Sequence, residues 1–263
     1  MRVFIFVVLI LAAGTSAAQQ DVPELITDRP DQTESAVTVA PGFVQLEVGA
    51  SFTHDGDADL DTFEAPGSLL RIGLVKRLEL RIGWTGHVSQ DVGAEGLFDE
   101  SGVGDAELGV KVRLRDEQGR RPEMALLLAG SLPVGEAAFT SDRVDPSFRL
   151  ALAHTLGERL GLGYNVGVEW ASEPGAGGGA TTLSSYLYTV ALGIGLSERT
   201  GAFVELFGTV PGSASGDPAH SFDGGFTFLL RPNVQLDVAG GVALTDEADD
   251  WFVGVGVSAR WPR

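Results

Sequence analysis

Residues 160–170 read LGLGYNVGVEW, and this stretch decides the fold class. Its apolar side chains recur at every second position with small or polar residues between them, which is the period of a β-strand with two different faces. The apolar positions are Leu160, Leu162, Tyr164, Val166, Val168 and Trp170. Soluble strands usually have about five or six residues, whereas a tilted strand needs about nine to eleven to cross a membrane. The stretch therefore predicts a membrane strand with one face toward lipid.

The last strand of the chain repeats this design. Residues 251–261 read WFVGVGVSARW, with apolar residues on one face and Gly254, Gly256, Ser258 and Arg260 on the other. Aromatic residues at the ends of such strands match the aromatic girdles of outer-membrane barrels. The two stretches predict an outer-membrane β-barrel whose apolar face meets lipid.

Composition narrows the function classes. The 263 residues include 36 Gly, 12 Pro and no Cys, and the formal net charge is −18. The absence of cysteine excludes disulfides and thiolate metal sites. The acidic balance argues against nucleic-acid binding. The uniform strand pattern favours one domain, and no cofactor or metal is predicted.

The amino terminus has the layout of a secretory signal. Arg2 gives a short positive region, residues 3–13 are apolar, and residues 16–18 are small and suit cleavage before Gln19. The apolar run is too short to span a membrane as a helix, and no later run approaches about eighteen apolar residues. We expect residues 1–18 to be a cleaved signal peptide on an exported all-β chain.

Residues 19–42 are too rich in proline and charge for a membrane strand. Pro23, Pro30 and Pro41 break both helices and strand ladders, so an extended or turned segment is expected. Within it, the run TDRPDQTES at 27–35 places an arginine between two aspartates.

This run, the Pro41-Gly42 step and the strand FVQLE at 43–47 resemble the start of outer-membrane barrels in the phenol-degradation meta-pathway (MetA-type) transporter family. The resemblance implies an antiparallel up-and-down barrel in the outer membrane, in contact with lipid and lipopolysaccharide. It also implies passage of small aromatic or apolar molecules, and insertion by the barrel-assembly machinery. Many such barrels end on an aromatic residue, whereas this chain adds Pro262 and Arg263 after Trp261.

We predict about twelve strands, joined by short turns on one rim, taken as periplasmic, and longer loops on the other. Residues 54–65 and 90–102 are among the predicted long loops. The domain division is signal peptide 1–18, N-terminal periplasmic or plug segment 19–42, and barrel 43–263. The predicted strands are 43–53, 66–76, 78–89, 103–115, 123–134, 146–156, 159–171, 181–196, 199–210, 219–230, 232–244 and 251–261.

The charged residues of these strands share the less apolar face. A charge on the lipid face would cost about 2–4 kcal/mol for Arg or Lys at the midplane, so the charged face is predicted to line the lumen. A soluble β-sandwich would also alternate, but its polar face would be open to water and not rich in glycine and opposed charges. The predicted lumen-lining charges are Arg71, Arg81, Lys111, Arg113, Arg149, Glu169 and Glu205, and Glu47 and Glu79 are expected to pair with Arg71 and Arg81.

Asp28, Arg29 and Asp31 are the predicted plug or gate, because opposite charges in the lumen can bind such a segment. The alternative is that Arg29 only ties the amino terminus to the periplasmic rim. A barrel of twelve strands with such a plug predicts a narrow pore.

Three functions stay open from the sequence. The first is a channel or transporter for small, aromatic or apolar molecules, and the second is a non-transporting structural or interaction barrel. The third is a rim hydrolase using His154 or His220, although no nucleophile motif accompanies either histidine. The acidic stretch at 55–61 lacks the glycine and glutamate that an EF-hand requires, so a solvated loop is expected there.

Overall fold

The computed structural model describes residues 23–93, 98–174, 180–213 and 216–262. The predicted signal peptide at 1–18 lies outside the described residues. The described chain contains fourteen strands and no helix. The strands are β1 Phe43–Asp55, β2 Leu60–Val75, β3 Leu78–Trp84, β4 His87–Val92, β5 Phe98–Val103, β6 Ala106–Arg115, β7 Glu123–Leu132, β8 Pro146–Thr155, β9 Leu160–Pro174, β10 Ala180–Gly195, β11 Thr200–Pro211, β12 Ala219–Arg231, β13 Val234–Ala243 and β14 Trp251–Pro262.

The strands close into a barrel of twelve staves. Every pairing is antiparallel, and β1 pairs with both β2 and β14, which closes the sheet. β3 and β4 both pair with β2, so they form one stave that is interrupted between Trp84 and His87. β5 and β6 likewise form one stave, because β5 pairs with β4 and β6 pairs with β3. The predicted up-and-down barrel of about twelve strands is confirmed.

Connections differ between the two rims, as predicted. One rim has turns as short as Lys76-Arg77 and Pro232-Asn233, and the barrel also begins and ends there, at Phe43 and Pro262. We call it the short-turn rim. The opposite rim carries connections such as 133–145, 212–218 and 244–250.

Two predicted loops were wrong. Most of 54–65 and parts of 90–102 are strand, because β2 begins at Leu60 and pairs with β4, which in turn pairs with β5. The aspartate-rich composition suggested a loop. A strand that rises above the hydrocarbon meets water on both faces, so it need not show the apolar alternation of a membrane strand.

The interior is polar and the exterior apolar. The largest fully buried side chains are Arg71, Lys111, Gln45, Glu47, Glu79, Glu205, Asn165, Asp223 and Ser258. Val166, Phe226, Val255 and Trp261 are among many exposed apolar residues. This inversion is typical of a barrel in lipid and excludes the β-sandwich. No helix in the described residues is long and apolar enough to cross a membrane.

Candidate functional site: the N-terminal segment inside the lumen

Residues 26–39 of the N-terminal segment lie against inward-facing side chains of the barrel, whereas residues 23, 24, 41 and 42 at its two ends are exposed. Arg260, near the end of β14, donates to the carbonyl oxygens of Pro23 and Glu24. At its other end the segment passes close to Gly73, near the end of β2. A Cβ at Gly73 would overlap the backbone of Ala40. Gly73 and Arg260 both lie near the short-turn rim. The segment therefore enters from that rim, reverses in the lumen and returns to start β1.

Asp28 binds the cationic wall of the lumen. Its Oδ2 atom lies 2.5 Å from Arg81 Nη1, 2.7 Å from Lys111 Nζ and 3.1 Å from Arg71 Nη1. Its Oδ1 atom accepts hydrogen bonds from the backbone N–H and hydroxyl of Ser35, at 3.0 and 2.6 Å. We call Arg71, Arg81 and Lys111, on β2, β3 and β6, the basic side of the lumen.

Arg71 joins the segment to the wall. It contacts Glu79 at 2.8 Å and Glu47 at 3.0 Å, and it donates to the Val37 carbonyl at 3.0 Å. Glu47 in turn accepts the backbone N–H groups of Asp28 and Arg29. The expected pairing of Glu47 and Glu79 with Arg71 and Arg81 is confirmed, since Arg81 also contacts Glu79 at 3.2 Å.

Charge balance on this side has a consequence for Asp28. Burial by itself would raise the pKa of Asp28, but the positive charges of Arg71, Lys111 and Arg81 hold that pKa well below its usual range. Asp28 therefore remains an anion, and its three cationic partners each gain a charge-assisted contact.

Arg29 binds the opposite wall. Its Nη2 atom lies 3.0 Å from Asp237 Oδ1 on β13 and donates to the Val255 carbonyl at 3.1 Å. The guanidinium lies against Gly49 and Gly256, which are paired across β1 and β14. A Cβ on either glycine would overlap the guanidinium. The two glycines form the slot that Arg29 occupies.

Glu205 on β11 binds the tip of the segment. It accepts the Gln32 backbone N–H at 2.7 Å and the Thr33 hydroxyl at 2.5 Å. The Thr33 hydroxyl also lies 2.6 Å from the hydroxyl of Thr189. Asp223 is the cross-strand partner of Glu205, and no cationic side chain contacts its buried carboxyl oxygens in the described part of the chain. We call Glu205, Asp223 and Asp237, on β11, β12 and β13, the acidic side of the lumen.

Glu34 separates two cavities. It contacts Arg81 at 2.7 Å and Lys111 at 3.3 Å, while Asn165 bonds both its backbone N–H and its carbonyl. One cavity of about 380 Å³, the lower cavity, lies between the segment and β8–β10 toward the short-turn rim. The other, about 70 Å³, is lined by Arg81, Glu107, Arg149 and Glu169. Glu34 lines both cavities.

The remaining predicted residues are Arg149, Glu169, Arg113 and Asp31. They face the lumen but do not form a single cluster. Arg149 contacts Glu169 at 3.2 Å and donates to the Gln32 carbonyl at 3.2 Å. Arg113 instead pairs with Asp116 and Glu123 near the short-turn rim, away from the segment. Asp31 lines the lower cavity and forms no ion pair within the described part of the chain.

Sequence reasoning did not select several residues of this site. Gln32, Thr33 and Glu34 stand in the quoted run TDRPDQTES. The neutral side chains of Gln32 and Thr33 and the backbone N–H groups give no signal of their partners, and the charge of Glu34 does not identify Arg81 and Lys111 as its partners. Asp223 and Asp237 alternate with apolar residues on inward positions, and this signal was available. Alternation predicts that these two side chains point into the lumen, but it does not predict which residue each one contacts there.

The two histidines considered for hydrolysis lie beside tyrosines. His154 lies 3.3 Å from the Tyr164 hydroxyl and 3.7 Å from Glu117, and His220 lies 2.9 Å from the Tyr188 hydroxyl. Among the described residues, no group of three or more His, Asp or Glu has the arrangement of a metal site.

Comparison with known proteins agrees with this architecture. The family model "Putative MetA-pathway of phenol degradation" matches residues 27–261. The chain is similar to the COG4313 outer membrane channel from Pseudomonas putida F1, with a TM-score of 0.67 and 17% identity, covering 85% of this chain and 97% of that one. It is also similar to the NanC porin, with a TM-score of 0.57 and 8% identity, covering 81% and 98%. No curated protein matches.

These structural matches share the fold; one is described as an outer membrane channel and the other as a porin. A closed barrel with an apolar exterior is one of the two structures that can span a membrane. The protein is therefore located in the outer membrane, surrounded by its lipid and lipopolysaccharide.

Proposed function

Because the chain belongs to the family described as "Putative MetA-pathway of phenol degradation", we propose that it is an outer-membrane channel for small molecules, closed by its N-terminal segment. The observation that carries the proposal is the course of residues 23–42 across the lumen. Asp28 binds the basic side, Arg29 binds the acidic side, and Glu34 divides the two cavities. Residues 19–42 then act as a plug after cleavage of the signal peptide at 1–18.

Opening requires the tip of the segment to move, because this tip contacts both the basic and the acidic side of the lumen and Glu34 lines both cavities. Backbone and side-chain hydrogen bonds to Glu205, Asn165 and Arg81 hold this tip. These contacts are noncovalent, and water in an open lumen can replace many of them. The segment can thus leave the lumen without unfolding the barrel.

The proposed substrates are small aromatic or apolar molecules, and the reference to phenol degradation in the family description supports this class. The two structurally similar proteins are described as a porin and a channel, which supports passive passage over enzymatic turnover. We include insertion by the barrel-assembly machinery in the proposal, as for other outer-membrane barrels.

The direct test is single-channel conductance in planar bilayers. We compare the mature protein with a form lacking residues 19–40 and with Arg29→Ala, which removes the contact to Asp237. Truncation is expected to give larger and longer openings, and Arg29→Ala more frequent ones. Arg77→Ala is the matched control, because Arg77 pairs with Asp116 at the short-turn rim outside the segment.

A reversible cross-link makes the test sharper, since the native chain has no cysteine. The hydroxyls of Thr33 and Thr189 lie 2.6 Å apart, which suits a disulfide between Thr33→Cys and Thr189→Cys. The oxidised protein is expected to be silent, and the reductant is expected to restore openings. Openings that are the same in both states would contradict a plug.

A specific observation also favours a non-transporting barrel. The buried charge network around Arg71 ties the segment to three strands and could serve only to stabilise the barrel. A truncated protein that is folded and heat-modifiable but silent, and that does not carry aromatic probes into vesicles, would support this second function.

A further inference from the structure

The lower cavity has an unusual lining. Its wall on β8–β10 consists largely of residues without a side chain beyond Cβ, and the opposite wall is the N-terminal segment at 26–37. The wall residues are Ala153, Gly161, Gly163, Ala191 and Gly193. Space remains above two of the glycines, where an added Cβ would meet no atom closer than 3.8 Å. This wall is largely apolar and open over Gly161 and Gly193, whereas the methyl group of Thr33 packs against Gly163.

All the ionisable side chains that line the lower cavity, His154 aside, are acidic. They are Asp31, Glu34, Glu117 and Glu123. Glu34 is paired with Arg81 and Lys111, and Glu123 is paired with Arg113. Glu117 accepts the backbone N–H of Thr155 at 3.0 Å. Asp31 is the one of the four whose carboxyl group forms no ion pair and accepts no hydrogen bond from another residue in the described part of the chain; its own backbone N–H donates to it.

Behind Asp31 lie two more carboxyl groups. Glu205 and Asp223 are near enough to affect Asp31 electrostatically, and both are 1% exposed. Asp223 lies in side-chain hydrogen-bonding contact with Glu205, and no cationic side chain contacts its buried carboxyl oxygens in the described part of the chain. Arg29, the cation of the segment, is bound to Asp237 instead. A buried carboxylate group of this kind is costly unless a positive charge or a proton compensates it.

We propose that the lower cavity is a binding site for small organic cations, with a protonated amine at Asp31 and a flat apolar body against the glycine wall. The amine supplies the compensating charge and donates hydrogen bonds to the carboxylate, which are stronger than those between neutral groups. The volume of about 380 Å³ lies within the range of small-molecule sites. This inference rests on the proposed channel, because the channel gives the ligand access to the cavity. It adds to the proposed function that the ligand is positively charged.

The site predicts a characteristic dependence on pH. Burial, then the nearby charge of Glu205, raises the pKa of Asp31 well above its usual range, and Asp28 and Asp223 add to this shift. Cation binding favours the ionised carboxylate, so affinity should increase as pH rises through the pKa of Asp31. The other titratable groups of the cavity are Glu34, Glu117, Glu123 and His154.

The test uses three probes with one ring and different charges: benzylammonium, benzyl alcohol and benzoate. Binding to the refolded mature protein in detergent is measured by titration calorimetry at several pH values. Benzylammonium is expected to bind at least tenfold more tightly than the other two, and its affinity is expected to rise along a pH series that begins near the ordinary pKa of an aspartate, about 4. Asp31→Asn should remove the preference and the pH effect.

Two further variants separate charge from shape. Gly193→Val adds volume to the glycine wall without changing charge and should weaken benzylammonium binding. Asp246→Asn makes the same charge change as Asp31→Asn in an exposed loop at the opposite rim and should have no effect. Equal affinity for the three probes, no binding, or an undiminished preference in Asp31→Asn would overturn the inference. Conductance of the same preparations tests the channel separately, so a conducting protein that shows no preference contradicts only the cation site.

Discussion

The two sides of the lumen hold the same segment with opposite charge balances. On the basic side, three cations face the carboxylates of Asp28, Glu34, Glu47 and Glu79. On the acidic side, Arg29 alone faces Asp31, Glu205, Asp223 and Asp237. The first side is densely paired and has nearly as many cations as carboxyl groups, whereas the second has one cation for four carboxyl groups. We therefore expect the contacts with the basic side to keep the segment bound, and the contacts with the acidic side to be the ones that break when the segment moves.

The largest expected effect is loss of the centre of the basic side. Arg71→Met leaves Asp28, Glu47 and Glu79 buried with fewer compensating charges, and breaking a buried pair this way costs about 3–5 kcal/mol. The free energy of unfolding in urea should fall by that amount. Arg77→Ala is the control, since its pair with Asp116 is half exposed and should contribute less than about 1 kcal/mol. Equal losses in both variants would refute the special role of Arg71.

The second-largest expected effect is the loss of the contact between Arg29 and the acidic side. Gly256→Ala places a Cβ where the Arg29 guanidinium lies, so Arg29 should lose its contact with Asp237. Open probability in bilayers should increase severalfold. Gly254→Ala, two residues away on the same face of β14, meets no atom closer than 3.5 Å and should leave gating unchanged. A wild-type open probability in Gly256→Ala would show that the slot does not hold the segment closed.

A pH series compares Asp28 and Asp31, which lie three residues apart. The pKa of Asp28 is held well below its usual range and that of Asp31 is raised well above it. A raised pKa in the docked segment means that docking is favoured at low pH and weakened as pH rises through that pKa, in a window above about pH 4. Open probability should thus rise with pH. In Asp31→Asn this rise should disappear, and a rise that persists would exclude Asp31 as its source.

The smallest effect concerns like charges on the acidic side. Asp223 and Glu205 are cross-strand partners, and like charges directly opposite each other are destabilising. Asp223→Asn supplies an amide donor and should stabilise the barrel by about 0.2–1 kcal/mol in urea unfolding. Asp237→Asn is the contrasting variant, because it removes the partner of Arg29 and should not stabilise. A loss of stability in Asp223→Asn would contradict the like-charge interpretation.

The sequence by itself determined the barrel, the strand number and the face on which each charge lies. Alternation at 160–170 and 251–261 is a local property, since successive side chains of a strand point to opposite faces. The lipid then decides which face is outside, because charge there is costly. Glu79, Arg81, Lys111 and Glu205 were placed inward on this reasoning, and all four are buried. The strand segments within 54–65 and 90–102 were not predicted. Beyond the lipid surface, charge on the outer face has no such cost, so the alternation that marks a membrane strand is not required there.

Only the tertiary structure decided which inward charges meet. Lys111 lies 83 residues from Asp28, and Asp237 lies 208 residues from Arg29, so no local pattern relates them. Barrel closure and register bring β2, β3 and β6 to one wall and β11, β12 and β13 to the other. The Gly49–Gly256 slot exists only because β1 pairs with β14 in that register. Distances across a lumen depend on closure of the whole sheet, whereas the face of a residue depends on its strand alone.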